Sequence, residues 1–382
     1  VRSSERPAGG RRILYLITND ISARFLRGQL DYLIEHGFEV SVGTRLSDPP
    51  AVFDQGVTVH DLEYRRDPSP LADGRSLVAT VGLIRRTKPD IVNASTPKAG
   101  LLGMIAARLC RVPRRVYVVR GLRFETLTGI RRWLFRTLER SATACATDVI
   151  YNSRSLLATA ESERAVRRGR GRVLGAGSGN GIDVGRFTEL PTREVAREQL
   201  GIGVDADVVG FVGRLTRDKG IVDLVEAFTA DNDGRVTLLL VGDFEPGDPV
   251  PDEIRERIAT SPSIVRVPWV DDTRAVYPAM DVLAFPSYRE GLPNVPLEAQ
   301  LCGVPVVAYA ATGTVDAIDD GVGGVLVPVG DAGALSDALS GLLGDRRCSS
   351  TLAASGRAWV AEQFEQRRLW AALADLYRSD RR

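Results

Sequence analysis

"DVVGFVGRLTRDKGIVDLVEAFTA", residues 207–230, joins a continuous apolar run, a turn of glycines and charges, and a run whose apolar positions recur at helical spacing. An apolar run that stops at glycine reads as a strand buried on both faces, and the periodic run behind it as a helix lying over that strand. The same unit recurs on both sides. Downstream, "VTLLLVGD" (236–243), "SIVRVP" (263–268), "DVLAFPS" (281–287), "PVVAYA" (305–310) and "GVLVPV" (324–329) are short strands alternating with helical stretches such as "DEIRERIAT" (252–260). Upstream, "RRILYLIT" (11–18), "FEVSVGT" (38–44), "VTVHDL" (57–62), "DIVNAS" (90–95), "RRVYVVRG" (114–121) and "DVIYNS" (148–153) alternate with helical patterns at 24–37, 76–89, 99–112 and 129–147. Strands alternating with helices predict parallel sheets with right-handed crossovers. The fold class is therefore α/β, with two doubly wound, Rossmann-like domains.

The length agrees, since 382 residues are about twice a typical domain. Turn residues and a polar helix in "NGIDVGRFTELPTREVAREQLGI" (180–202) mark the joint. This gives a first domain over 11–185, a second over 186–362, and a C-terminal helix over 363–382 placed to cross back onto the first. Residues 1–10 are polar with no apolar stretch behind them and are expected to be a disordered lead-in rather than a signal peptide. Ligands of open α/β sheets sit at the carboxyl ends of the strands, so two such domains are expected to face a common cleft.

Composition narrows the function. Fifty basic residues against 49 acidic ones leave a formal net charge of +1, which gives no reason to expect nucleic acid. Cys110, Cys145, Cys302 and Cys348 are far apart and form no C-x-x-C pair, so they are expected to be reduced, mostly buried thiols of a cytosolic protein. Two histidines, His36 and His60, are too few for a zinc cluster or a histidine-centred triad. No apolar run reaches the roughly 18 residues a membrane span needs. The only lysines are Lys88, Lys98 and Lys219; in so arginine-rich a chain, a lysine points to a site that needs a compact charge.

Two stretches of the second half carry chemistry. In "GFVGRLTRDKG" (210–220), Gly213 closes the strand, Arg214 and Lys219 follow, and Gly220 opens the helix. A glycine turn, a helix N-terminus and two cations together suit a diphosphate, whereas an ordinary solvated loop would have the same composition. In "DVLAFPSYREGLPNVPLEAQLCG" (281–303), Glu290 lies in a loop after a buried strand and Glu298 inside the next helix. The backbone N–H groups of Asn294 and Val295 stand at that helix N-terminus. Taken alone, this stretch equally describes a capped helix with two surface acids.

Together the two stretches resemble the family 4 retaining glycosyltransferases of the GT-B fold. The resemblance rests on "GRLTRDKG" (213–220), "DVLAFPSYREGLPNVPLEA" (281–299), "CGVPVVA" (302–308) and "GNGIDVGRF" (179–187). Through "STPKAGLLGMIAARLCRVPRRVYVVRGLRFETLTG" (95–129) it extends to the branch acting on capsular and other lipid-linked saccharides. It implies that Arg214 and Lys219 hold the donor diphosphate and stabilise charge on the leaving nucleotide, that Glu290 binds the donor sugar, and that Glu298 binds the ribose. It implies a nucleotide-sugar donor, most simply a UDP-sugar, an acceptor that is a saccharide, a lipid-linked saccharide or a metabolite, and no metal or other cofactor. A sugar-nucleotide epimerase of the same shape and a non-catalytic nucleotide-sugar binder stay open as alternatives.

The first domain would then supply the acceptor side. Related branches carry a histidine near "STPKAG" or the "VVRG" turn; Ser95 and Arg120 stand there here, so Lys98, Arg120, Arg123 and Glu125 are the candidates. Arg131, Arg132, Arg136 and Arg140 lie beside Trp133, Leu134 and Phe135, a basic amphipathic helix that suits either an anionic inner-membrane surface or simple packing on the sheet. "GAGSGNG" (175–181) imitates a dinucleotide loop but has Asn180 where the last glycine belongs, and reads as a turn.

Overall fold

The computed structural model describes residues 10–47, 53, 56–64, 69–231 and 234–379. Apart from Gly10, the lead-in expected over 1–10 lies outside the described residues. The chain divides into two units, one running to Asn180 and resuming at Arg367, the other running from Gly181 to Gln366. The sequence had placed these boundaries at 185/186 and 363.

In the first unit the strands are β1 (Arg12–Asn19), β2 (Glu39–Arg45), β3 (Thr58–Asp61), β4 (Ile91–Ser95), β5 (Arg114–Val119), β6 (Asp148–Tyr151) and β7 (Gly171–Arg172). The helices between them are α1 (Gln29–Glu35), α2 (Pro70–Thr87), α3 (Pro97–Leu109), α4 (Gly129–Cys145) and α5 (Arg154–Ser162). All strand pairs are parallel, in the order β3-β2-β1-β4-β5-β6-β7. Side chains alternate between faces along β1: Leu14 and Leu16 enter one core, Ile13, Tyr15 and Ile17 the other. Both cores are apolar, which is why these strands read as continuous hydrophobic runs.

In the second unit the order is α6 (Arg193–Leu200), β8 (Asp207–Val212), α7 (Ile221–Asp231), β9 (Val236–Val241), α8 (Asp252–Thr260), β10 (Ile264–Val267), β11 (Val282–Phe285), α9 (Asn294–Leu301), β12 (Val306–Tyr309), α10 (Thr314–Ala317), β13 (Gly324–Val327), α11 (Ala332–Gly344) and α12 (Arg346–Gln363). Its sheet, again parallel, runs β10-β9-β8-β11-β12-β13. Asp281 sits just before β11, at the amino end of an interior strand: its carboxylate accepts from Val208 N–H at 2.8 Å and from the fully buried Arg197 at 2.9 Å, with Arg193 and Arg346 alongside. Burial alone would raise its pKa, but the Val208 hydrogen bond and the arginines outweigh burial and hold it below the usual carboxylate range.

The last helix, α13 (Gln366–Arg378), belongs to the first unit from Arg367 onward and buries Trp370, Leu373, Leu376 and Tyr377. The Tyr377 hydroxyl meets that of Tyr15 at 3.0 Å and accepts from Asn93 Nδ2 at 2.6 Å, deep in the sheet core.

Several elements differ from the sequence reading. The helix expected over 24–37 is a 3-10 turn (Asp20–Leu26) followed by α1, broken at Gly28, whose φ is +72° and where a Cβ would sit 2.7 Å from the Trp370 ring. Helices α5 and α12 were not foreseen. Three cysteines are partly buried, but Cys348 is exposed, because it lies in the first turn of α12 on its solvent side. On α4, Arg132 and Arg136 are not free cations: both pair with Glu163, at 2.8 and 3.5 Å, and only Arg131 and Arg140 of the four are exposed. No helix among the described residues is long and apolar enough to cross a membrane.

Candidate functional site

Strand order reverses between β8 and β11 in the second unit, and the loops leaving two such strands diverge and leave a recess at their carboxyl ends. Those two loops are the ones the sequence singled out. After β8, Gly213 N–H donates to Val241 O at 2.9 Å and the chain turns through Arg214 and Lys219 into α7. After β11, residues 286–293 lead into α9. The loops touch through backbone: Tyr288 N–H donates to Asp218 O at 3.0 Å, and at Gly220, with φ of +71°, a Cβ would lie 2.0 Å from Pro286 O. Only a residue without a side chain permits this approach.

That approach brings Lys219 to Glu290. Lys219 Nζ donates to Glu290 Oε1 in a short charge-assisted bond, and Ser287 Oγ donates to the same oxygen at 2.9 Å. Both side chains are mostly buried. Glu290 N–H donates to Thr312 O at 2.8 Å, which fixes the carboxylate's backbone. Beside this pair lies Asp218, which receives Thr216 Oγ1 at 2.6 Å and stands 3.8 Å from Arg214 and 3.7 Å from Arg289. Burial acts to raise the Asp218 pKa, but the threonine hydrogen bond, Lys219 and the arginines together lower it. Arg214 itself is held by Glu245 as well as Asp218; desolvation opposes its charge, and the two carboxylates overcome that and raise its pKa.

Glu298 is the fifth residue of α9 and has partners different from those of Glu290. Its Oε2 accepts from Thr273 Oγ1 at 3.0 Å and Tyr277 OH at 3.1 Å, and Tyr277 OH also lies 3.3 Å from Val295 O. Burial raises the Glu298 pKa, partly offset by those two hydrogen bonds. Asn294 and Val295 form the first turn of α9, where no side chain caps the free N–H groups.

In the first unit, Lys98 begins α3 after β4 and is paired with Asp73 at 2.7 Å. Thr96, just before it, has φ of +83° and its hydroxyl meets that of Thr18 at 2.7 Å, at the reversal between β1 and β4. Arg120 follows β5, with its guanidinium 5.1 Å from the Phe25 ring centre. Arg123 is exposed and stacks on Phe135 at 4.9 Å; Glu125 lies between it and α4. The structure thus brings Gly213, Arg214, Lys219 and Glu290 together and places Asn294, Val295 and Glu298 on the adjoining helix.

Sequence reasoning missed Asp218, Glu245, Ser287 and Arg289. Three of the four lie inside the quoted stretches, where residue type alone does not mark them; Glu245, in the turn after β9, carries no sequence signal. Tyr277 and Thr273, which hold Glu298, precede the motif and gave none either. Among the described residues no three His, Cys, Asp or Glu side chains cluster as metal ligands.

Comparison with known proteins accords with this layout. Residues 22–177 match the "Glycosyl transferase 4-like domain" and residues 206–345 match "Glycosyl transferases group 1". The capsular polysaccharide biosynthesis glycosyltransferase CapM of Staphylococcus aureus is 32% identical over 368 residues, 96% of each chain. An Escherichia coli UDP-Gal:alpha-D-GlcNAc-diphosphoundecaprenol alpha-1,3-galactosyltransferase is 28% identical over 74% of this chain and 73% of its own. The solved structure of HepE from Anabaena, in complex with UDP, superposes with a TM-score of 0.78 at 23% identity, over 96% of this chain and 99% of that one. Two parallel Rossmann-like sheets, family models matched across both units and a relative at this identity over 96% of each chain place the chain in the family 4 glycosyltransferases, with the GT-B fold.

Proposed function

We propose that this glycosyltransferase moves a sugar from a nucleoside diphosphate, of the UDP-sugar class, to a hydroxyl of a saccharide or lipid-linked saccharide in surface polysaccharide synthesis, with retention at the anomeric carbon and without a metal. The observation that carries the reading is the Lys219–Glu290 pair, built by two loops at the strand-order reversal and supported by Ser287. The CapM and galactosyltransferase relatives, and a fold shared with a UDP complex, support the donor and acceptor classes.

The roles follow from the chemistry. Charge accumulates on the leaving diphosphate as the glycosidic bond stretches, so Lys219 and Arg214 stabilise the transition state more than the ground state. Each is already held by a carboxylate, and therefore stands pre-oriented before the donor arrives. The N–H groups of Asn294 and Val295 add uncharged donors to the same phosphates. Glu290 accepts from the donor sugar hydroxyls. Glu298, kept in place by Thr273 and Tyr277, accepts from the ribose. The exposed Ile130, Trp133 and Leu134 of α4, beside Arg131, suit an acceptor carried on lipid.

Substitution Glu290→Ala tests the reading. A transferase loses turnover by roughly 10²–10³-fold while nucleotide affinity changes much less. A variant that loses only donor affinity marks a binding protein, and release of an epimerised free sugar without any acceptor marks an epimerase.

A further inference from the structure

Arg120 is a cation without a counter-ion. It follows β5 in the first unit, its Nε is closed to solvent and lacks a hydrogen-bond partner, and no carboxylate among the described residues comes within ion-pair distance. Its one hydrogen bond is a long one, NH2 to Gly179 O at 3.5 Å. Desolvation pulls its pKa down to about 10, with the phenol of Tyr15 acting the other way. The buried Arg197, by contrast, has Asp281 and four backbone carbonyls within reach. Apart from that bond and the Phe25 ring, the half-buried guanidinium has no partner, and a cation partly withdrawn from water without a counter-ion is retained where a ligand completes it.

A second orphan adjoins it. Asn152, after the neighbouring strand β6, has a buried Oδ1 without a donor. Both side chains flank Gly179, where a Cβ would lie 1.9 Å from Arg120 NH1 and 3.1 Å from Asn152 Nδ2, so the glycine leaves the guanidinium in its present place. Arg120, though not Asn152, also lines a recess of about 20 Å³ with Tyr15, Gln29 and Asn93, which has room for about one water and no anion. The counter-ion must therefore come to the outer, strand-end side.

We infer that Arg120 and Asn152 form a subsite of the first unit for an anionic group, a phosphate or carboxylate carried by the acceptor, with Asn152 receiving a neighbouring hydroxyl. The assignment to the acceptor rests on the transferase reading, in which the donor is held by the second unit. The bidentate guanidinium supplies the specificity, and a neutral acceptor leaves it unsatisfied.

The test uses the full chain and inorganic phosphate as the probe, with no donor present. In a Lys219→Ala background, which removes a cation of the proposed donor site, phosphate raises the melting midpoint by a few degrees, and adding Arg120→Met abolishes that rise. Without phosphate, Arg120→Met melts at or above its parent, because an unpaired charge has been removed. A rise that survives Arg120→Met, no rise in the first place, or an Arg120→Met chain well below its parent without phosphate overturns the inference. In turnover, Arg120→Met raises the KM for a phosphate- or carboxylate-bearing acceptor by roughly 10- to 100-fold and leaves the donor KM in place. If the donor KM rises instead, the anion is the donor's and the subsite is misassigned. Because the phosphate titration needs no donor, its failure is separate from failure of the transferase reading, which shows as absent turnover in the unmodified chain.

Discussion

Replacing Gly220 by alanine tests the contact on which the site's geometry depends. Two costs add. The φ of +71° places an L-residue in the left-handed region, at about 1–2 kcal/mol. The new Cβ would sit 2.0 Å from Pro286 O and 2.8 Å from Pro286 C, backbone atoms that cannot rotate away, so the loops after β8 and β11 must part by about 1 Å, an overpacking cost of about 1–3 kcal/mol. The expected loss is roughly 2–5 kcal/mol, read from urea unfolding of the full chain. Gly201→Ala is the internal control, since Gly201 has nearly the same φ, +67°, but nothing within 4 Å of its Cβ position; it should lose only the first term. The difference between the two variants, about 1–3 kcal/mol, measures the close approach alone. Because parting the loops draws Lys219 away from Glu290, donor turnover should fall in Gly220→Ala and stay near normal in Gly201→Ala. Equal destabilisation by the two substitutions would refute the reasoning.

Asp281→Ala should cost about 3–5 kcal/mol in urea unfolding at pH 7, nearer the lower figure because Arg197 keeps its carbonyl partners. Since the Asp281 pKa is depressed in the fold, its stabilisation is present above the ordinary carboxylate range and is lost as pH falls through the depressed value; the gap between wild type and variant should narrow in acid. Glu139 behaves oppositely. Burial raises its pKa to about 7, against a hydrogen bond from Tyr117 OH at 3.1 Å, so its favourable protonated form is lost as pH rises through about 7. Glu139→Gln should therefore gain on wild type steadily as pH rises from about 5 to about 7 and little beyond, and a gap that stays flat from pH 5 to pH 7 would contradict the assignment.

The strands were legible because both faces of each sheet are buried, so that β8, β11 and β12 appear as near-continuous apolar runs bounded by turn residues. Helix α12 was not, because "RRCSSTLAASGRAWVAEQ" buries only Leu352, Gly356 and Val360, too few apolar positions to show a stripe. The break in the first helix depends on Trp370, more than three hundred residues away, and no local pattern reports such a contact. At the site, Lys219 and Glu290 were visible through residue type and loop position. Their pairing was not, because it requires two loops from non-consecutive strands to meet at Gly220. The pairing of Arg132 and Arg136 on α4 was hidden for a related reason: Glu163, which neutralises both, lies beyond the following strand.

The central claim is that the paired Lys219 and Glu290 handle a nucleoside diphosphate sugar. Its most direct test is to follow nucleotide release by the purified chain from a panel of UDP-, GDP- and dTDP-sugars, with and without EDTA, for the unmodified protein and Lys219→Ala. The account predicts slow release from one donor, unchanged by EDTA and reduced by roughly 10²-fold or more in the variant. A folded protein that binds none of these donors would contradict it.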